Sequence, residues 1–318
     1  MKILITGIGG FAGSHLAEHL IAENKGEIFG IVRDLNKIEN LNSSLQNNLN
    51  LFAADINDFQ STLKIIKKIN PEIIFHLAGQ PFVPTSFENT SGTFEVNVIG
   101  AINIFESVKS VGINPRIIIV TSGEVYGEAF GLPLHTEKSL PHPVNHYAAS
   151  KTSIDFISQT YKRYENMNIV IARPFNHTGP RQKPNFVCSS IANQIAKIEK
   201  ENLPKILKVG NVEAQRMFTD VRDMAKAYSL LMEIENGNEF IFNITNDKIS
   251  SILDVIKIYE NISGLNFELN IEEKRLRGYD IKLMGGDASL FKSKTNWKPN
   301  FTLTQTLTDN LNYWRNKN

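Results

Sequence analysis

The chain has 318 residues, 42% of them hydrophobic, with 34 basic side chains against 33 acidic ones and a net charge of +1. That is ordinary globular composition, at a length that suits two domains or one large domain with lobes. The balanced charge gives no support to nucleic acid or an anionic membrane as partner, and no run approaches the roughly 18 apolar residues of a membrane span.

KILIT (2–6) is short, apolar and β-branched, so it reads as a buried strand. A chain opening directly on MKILIT leaves no room for a signal peptide, and a cytoplasmic protein is expected. Phe11 to Glu23 is helical in pattern, with Leu16, Leu20 and Ile21 on one side. EIFGIVR (27–33) is the next strand, and the Asn-rich NSSLQNNLN (42–50) reads as a polar surface loop. LFAAD (51–55), EIIFHLA (72–78), RIIIVTS (116–122), NIVIARP (168–174) and EFIFNIT (239–245) follow as strands, with helical segments such as STLKIIKKI and GAINIFESVKSV between them. Strands without clean alternation, separated by helices, predict a parallel sheet covered on both faces: α/β, doubly wound, of the Rossmann type. After about residue 173 the rhythm breaks at RPFNHTGPRQKPN, which predicts a smaller, partly C-terminal lobe. The single Cys188, in FVCSSIANQI, sits at the start of a predicted helix and reads as a packed thiol in a protein of a reducing compartment.

GIGGFAG (7–13) joins the first strand to the first helix with glycines at Gly7, Gly10 and Gly13. In that context Gly7 permits a sharp turn, Gly10 lets the backbone approach a pyrophosphate, and Gly13 allows tight helix–strand packing. The helix N-terminus then receives phosphate charge. Gly7, Gly10, Phe11, Ala12 and Gly13 are the candidate cofactor contacts here. The second strand ends on Arg33 and Asp34. A guanidinium pairs bidentately with a 2′-phosphate, whereas an acid at this position suits the ribose hydroxyls of NAD. The expected cofactor is therefore NADP(H), with Asp34 leaving NAD(H) open and an exposed loop arginine as the plain alternative. Asp55 and Ile56 are placed to meet an adenine ring, and Leu77, Ala78 and Gly79 of HLAG to run along the cofactor.

Tyr147 and Lys151, in YAASK, stand four residues apart and so share one helix face. A free phenol titrates near 10 and a nearby cation lowers that value. Lys151 is therefore expected to depress Tyr147 and to hold the nicotinamide ribose, while Tyr147 exchanges a proton with a substrate oxygen as hydride moves. Ser122 is the expected third member. Tyr313 and Lys317 repeat the spacing at the far end of the chain, without the context, and are assigned no function. In VTSGEVYG (120–127), Glu124 is a base, a groove residue or part of a turn. No metal site is expected.

GIGGFAG, HLAG, the Asn97-Val98-Ile99-Gly100 stretch, TSGEVYG and YAASK occur here in the order of the extended short-chain dehydrogenase/reductase family, which the chain resembles over nearly its whole length. RPFNHTGP (173–180) and KVGNVEAQRMFTDVRD (208–223) are similar to the branch that handles GDP-linked 6-deoxy-hexoses. The second of these and RLRGYDIKLMGGD (275–287) look most like GDP-4-keto-6-deoxy-mannose reductases. The resemblance implies Ser122, Tyr147 and Lys151 as catalytic residues, with Glu124 lining the sugar pocket. It implies Asn176, Phe186, Val187, Arg216 and Arg277 as holders of the nucleotide sugar. The plain alternatives are a turn residue at Asn176 and a surface charge at Arg277. It also implies a dinucleotide-binding domain over 1–172 and 215–247, a nucleotide-sugar lobe over 173–214 and 248–318, and a GDP-linked 4-keto-6-deoxy sugar as substrate. A homodimer is expected, paired through Ile102, Ile104, Phe105, Ile154 and Phe156 on two helices at 97–110 and 147–164. The competing readings are a 4,6-dehydratase or epimerase that regenerates its own cofactor, and a dinucleotide sensor without catalysis.

Overall fold

The structure, a computed structural model, describes residues 1–128, 134–276 and 281–318. Seven strands lie side by side: β1 (Lys2–Thr6), β2 (Glu27–Val32), β3 (Leu49–Ala53), β4 (Ile73–His76), β5 (Arg116–Val120), β6 (Ile169–Pro174) and β7 (Ile241–Ile244). Their order is β7-β6-β5-β4-β1-β2-β3, and every pairing is parallel. Ile5 of β1 is level with Gly30 of β2 on one side and with Phe75 of β4 on the other. The winding reverses between those neighbours, and such a sheet opens its ligand crevice at the strands' carboxyl ends there.

Alternate side chains of one strand serve opposite faces. Ile3, Ile5, Phe75 and Ile118 pack with Leu16 and Leu20 of α1 (Phe11–Ala22). Leu4, Ile74, Ile117 and Ile119 pack on the other face with α2 (Phe59–Ile69) and α3 (Gly100–Val111). Burial on both faces is why these strands read as unbroken apolar runs. Helix α2 shows how locally the sequence specifies its elements. The Asp58 carboxylate caps it by accepting the amides of Gln60 and Ser61, Ile65, Ile66 and Ile69 face the core, and Lys64, Lys67 and Lys68 face solvent. Losing such a cap costs about 1 kcal/mol.

The remaining long helices are α4 (His146–Tyr164), α5 (Val187–Glu201), α6 (Val221–Leu230), α7 (Ile252–Ser263) and α8 (Leu303–Lys317). Met224 and Tyr228 of α6 share a core with α1, whereas α5, α7 and α8 enclose a separate core around Ile191, Ile195, Val255, Leu307 and Leu311. Cys188 is the second residue of α5 and is buried; burial pushes its thiol up to about 12, which disfavours the reactive thiolate. Among the described residues no helix is long and apolar enough to cross a membrane.

Three expectations need correction. The stretch 42–50 is not wholly a surface loop: Asn42 caps a helical turn, Ser43–Gln46, that buries Leu45, and β3 begins at Leu49. The helical path into α3 starts upstream of residue 97, with helix at Thr90–Phe94 and a π turn at Glu95–Ile99. Finally, Ile104, Phe105 and Ile154 are at most 1% exposed and belong to the sheet core. Of the five side chains expected at a dimer face only Phe156, 52% exposed, and the half-buried Ile102 point outward.

Candidate active site

The phosphate loop is built by close backbone approach. Gly7 has φ +71, and a Cβ there would lie 2.8 Å from Cα of Ala78, where the chain leaves β4. A Cβ on Gly13 would lie 2.3 Å from the Gly7 carbonyl oxygen, so α1 can sit this tightly on β1 only with glycine at that position. Gly10 is the N-cap of α1 and offers no side-chain cap. The first-turn N–H groups of Phe11, Ala12 and Gly13 have no intrahelical acceptor, which leaves an N-terminus suited to a phosphate-bearing group.

Around this loop, Arg33 is exposed and makes no ion pair among the described residues, while the Asp34 carboxylate accepts the Asn36 amide and stands 3.6 Å from Lys37 Nζ. Asp55 is exposed; Ile56 is buried and packs on Gly100, with its backbone carbonyl held by Asn103 Nδ2 at 2.8 Å. The Ala78 amide donates to Thr6 Oγ1 at 3.2 Å. A Cβ on Gly79 would lie 3.5 Å from Lys151 Nζ and 2.9 Å from Oδ1 of Asn97. The π turn delivers Asn97 to this point. Its Oδ1 accepts the Gln80 amide at 2.7 Å, and its Nδ2 donates to Ser150 Oγ at 2.9 Å.

Tyr147 and Lys151 lie in the first turns of α4, both buried. The helix is tethered to the short helix Val83–Glu88 that follows β4 through the Tyr147 amide, which donates to Ser86 Oγ at 3.1 Å. Lys151 Nζ donates to the Val120 carbonyl at the end of β5, at 2.9 Å, and burial lowers it to about 8. The expected depression of the phenol is not found. Burial raises Tyr147 above its ordinary value, the charge of Glu124 adds to the rise, and hydrogen bonding with Ser122 opposes it. Removing the phenolate from water costs more here than the surrounding groups return.

Ser122 starts the turn Gly123–Tyr126, and its Oγ accepts the Glu124 amide at 3.1 Å. Oε2 of Glu124 accepts Asn145 Nδ2 at 2.9 Å, so the carboxylate is held and not merely part of a turn. A Cβ on Gly123 would lie 2.8 Å from the Phe175 ring, which leaves no space for a second acid beside Glu124.

The substrate-side residues come from several segments. Asn176 is half-buried, with its carbonyl accepting the Thr219 amide at 2.9 Å. Phe186, the N-cap of α5, meets Phe82 edge to face at 5.7 Å, and Val187 beside it is exposed. Arg216 Nη1 donates to the carbonyls of Gln215 and Ile281 at 2.7 and 2.8 Å. Arg277 lies outside the described residues. Among the described residues no group of three or more His, Cys, Asp or Glu side chains could hold a metal ion.

Sequence reasoning missed Asn145, Ser86 and Arg181. Asn145 carried a usable signal, an Asn just before a helix. Arg181, at φ +73 after β6, donates to His15 Nδ1 at 2.5 Å and to the Asn40 carbonyl at 3.2 Å, and Asn40 in turn donates to the Gly9 carbonyl at 3.2 Å. No local pattern announces contacts of that range.

A family model described as GDP-mannose 4,6 dehydratase matches residues 4–310. The chain belongs to that family. GDP-mannose 4,6-dehydratase family members act on nucleotide sugars with NAD(P), and the protein is an enzyme of that kind. It is 28% identical to a GDP-6-deoxy-D-mannose reductase of Pseudomonas aeruginosa over 99% of this chain and 98% of that one. It is also 28% identical to the GDP-mannose 4,6 dehydratase of Homo sapiens, over 93% of this chain and 86% of the relative. A solved structure of RMD from Pseudomonas aeruginosa complexed with NADPH superposes with a TM-score of 0.84 at 28% identity, covering 99% of both chains.

Proposed function

We propose that this family member is an NAD(P)H-dependent reductase of a GDP-linked 4-keto-6-deoxy sugar. The observation that carries the reading is the setting of Tyr147: it is buried on the same helix face as Lys151, beside the Ser122–Glu124 turn, and burial with the charge of Glu124 raises its phenol, which favours the protonated form. A phenol in that state serves to give a proton to a carbonyl oxygen. Full-length similarity to the reductase of Pseudomonas aeruginosa, against partial cover of the longer human dehydratase, supports the same direction.

Bound NAD(P)H supplies the hydride that reduces the C4 carbonyl. The N-terminus of α1, with Gly7, Gly10, Phe11, Ala12 and Gly13, would hold the pyrophosphate, and Arg33 the 2′-phosphate of NADP(H). Asp55 and Ile56 would stand at the adenine, and Leu77, Ala78 and Gly79 beneath the middle of the cofactor. Lys151 would hold the ribose hydroxyls. Tyr147 gives its proton to the C4 oxygen, Ser122 donates a hydrogen bond to that oxygen, and solvent reprotonates the phenol. Glu124 lines the sugar pocket, while Asn176, Phe186, Val187, Arg216 and Arg277 hold the nucleotide sugar. The nucleotide-sugar lobe is assigned to 173–214 and 248–318, with the cofactor domain over 1–172 and 215–247; the separate core of α5, α7 and α8 supports that division.

The second reading, a 4,6-dehydratase, draws on Glu124, since elimination beside a ketone needs a carboxylate base. The two differ in stoichiometry. Incubation with GDP-4-keto-6-deoxy-mannose and NADPH should consume one NADPH per sugar and yield a C4 alcohol by NMR. Conversion of GDP-mannose without net NADPH change would replace the reductase by the dehydratase.

A further inference from the structure

Asn145 bonds in two directions. Its Oδ1 accepts the amide of Ala148 at 2.7 Å, the N-cap bond of α4, and its Nδ2 donates to Oε2 of Glu124 at 2.9 Å. The partners settle the amide's orientation, because a backbone N–H only donates and a carboxylate only accepts. Glu124 is held from the other end by its amide's bond to Ser122 Oγ. One side chain thus ties the turn after β5 to the start of the helix whose second residue is Tyr147 and which presents Lys151 a turn later. A cap by itself does not call for an amide, since Ser and Asp cap as well as Asn. The second bond does.

We propose that Asn145 is a positioning residue for the chemical step: it sets the Glu124 carboxylate against the helix carrying Tyr147 and Lys151, so that carboxylate and phenol meet the sugar in one arrangement. The proposal deepens the reductase reading and rests on it for the role of Tyr147.

Asn145→Asp separates the two jobs. It keeps a capping oxygen and replaces the donor by a second carboxylate oxygen beside Glu124. Two carboxylates at hydrogen-bond distance do not both ionise freely, and they titrate as a coupled pair. Adding Glu124→Gln restores one donor and one acceptor with the roles exchanged. Three quantities are measured on the NADPH-bound enzyme: the thermal midpoint, the carboxyl titration by carbon NMR, and kcat and KM for GDP-4-keto-6-deoxy-mannose.

For Asn145→Asp we expect an unchanged midpoint, a carboxyl titration displaced upward by about one pH unit or more, and kcat lower by about tenfold to a hundredfold with KM little altered. The double variant should lose the displaced titration. An Asn145→Asp enzyme with wild-type titration and kcat overturns the proposal. So does a loss of kcat that only follows a fall in midpoint, as Asn145→Ala would show if the residue were a cap and nothing more. The titration needs no sugar: a wild-type enzyme that fails to reduce the ketosugar overturns the reductase reading, and the carboxyl titration still decides the role of Asn145.

Discussion

Arg173 and Asp155 form a bidentate ion pair inside the protein, Nε to Oδ2 and Nη2 to Oδ1, each at 2.7 Å, with both side chains at most 3% exposed. The pair joins β6 to α4 beneath the candidate site. Arg173 also donates to the Tyr126 hydroxyl, which donates to Asn243 of β7, so β6, α4, the turn after β5 and β7 share one polar network. Removing one partner leaves a buried charge alone, which costs about 3–5 kcal/mol. Asp155→Ala should therefore lose about that much stability in urea unfolding at neutral pH. A loss below about 1 kcal/mol would mean that water reaches the guanidinium.

Tyr147→Phe should lower kcat by about 10²–10⁴-fold, the usual worth of one proton donor. NADPH affinity should stay within a small factor, because the ring still fills its place. Tyr313→Phe is the control: Tyr313 has the same spacing to Lys317, whose Nζ donates to its hydroxyl, but it is only partly buried, against the core of α5, α7 and α8 and away from the site. Equal losses in the two variants would take Tyr147 out of the mechanism.

Arg33→Ala should weaken NADPH by about tenfold to a hundredfold and NADH hardly at all, given about 1.5–3 kcal/mol for a charge-assisted hydrogen bond. Arg33 has no ion pair to give up among the described residues, whereas Asp34 is already engaged with Asn36 and Lys37. Added salt should shrink the wild-type preference, since an exposed pair is screened. Dissociation constants for both cofactors in both proteins decide it, and an unchanged ratio removes the 2′-phosphate contact.

Acid should destabilise the fold well before its carboxylates titrate. Burial lowers His15 to about 4, with the charge of Arg181 adding, and lowers His76 to about 3, with the charge of Lys151 adding. The unfolded chain takes up protons at both residues near pH 6.5 and the folded chain does not. Stability is thus complete above that pH and falls as the pH drops towards about 4 and then about 3. Each histidine contributes on the order of a few kcal/mol. Urea midpoints at pH 7.5 and 5.5 test this, and His15→Gln should flatten the dependence. Equal midpoints would show that both rings protonate inside the fold.

A homodimer, if it uses the outer face of α4 and of the π turn that leads into α3, should depend on Ile99 and Phe156, which are 46% and 52% exposed. Ile99→Glu with Phe156→Glu should convert a dimer to monomer by light scattering at micromolar concentration while leaving the fold intact, since neither side chain belongs to a core. A wild-type monomer, or a dimer indifferent to both changes, would place any pairing elsewhere.

What this sequence determined by itself is whatever depends on near neighbours. Seven apolar runs predict the seven strands, because a strand buried on both faces carries its signature within itself. Leu49–Ala53, at the sheet edge with no fully buried residue, carries it least, and its apolar run places it two residues late. Gly7, Gly10 and Gly13 predict the loop, because turn geometry and backbone approach are set over a few residues. Tyr147 and Lys151 share a face because a helix makes neighbours of residues four apart. Tertiary structure decided the rest. Asn145 meets Glu124 across 21 positions, and Ser86 meets the Tyr147 amide across 61. The rise of the phenol, against the expected fall, reflects how completely water is excluded there. Ile104, Phe105 and Ile154 look free on a helical pattern and are spent on the sheet. Desolvation and side-chain partnership are properties of the packed interior, and spacing along a chain does not carry them.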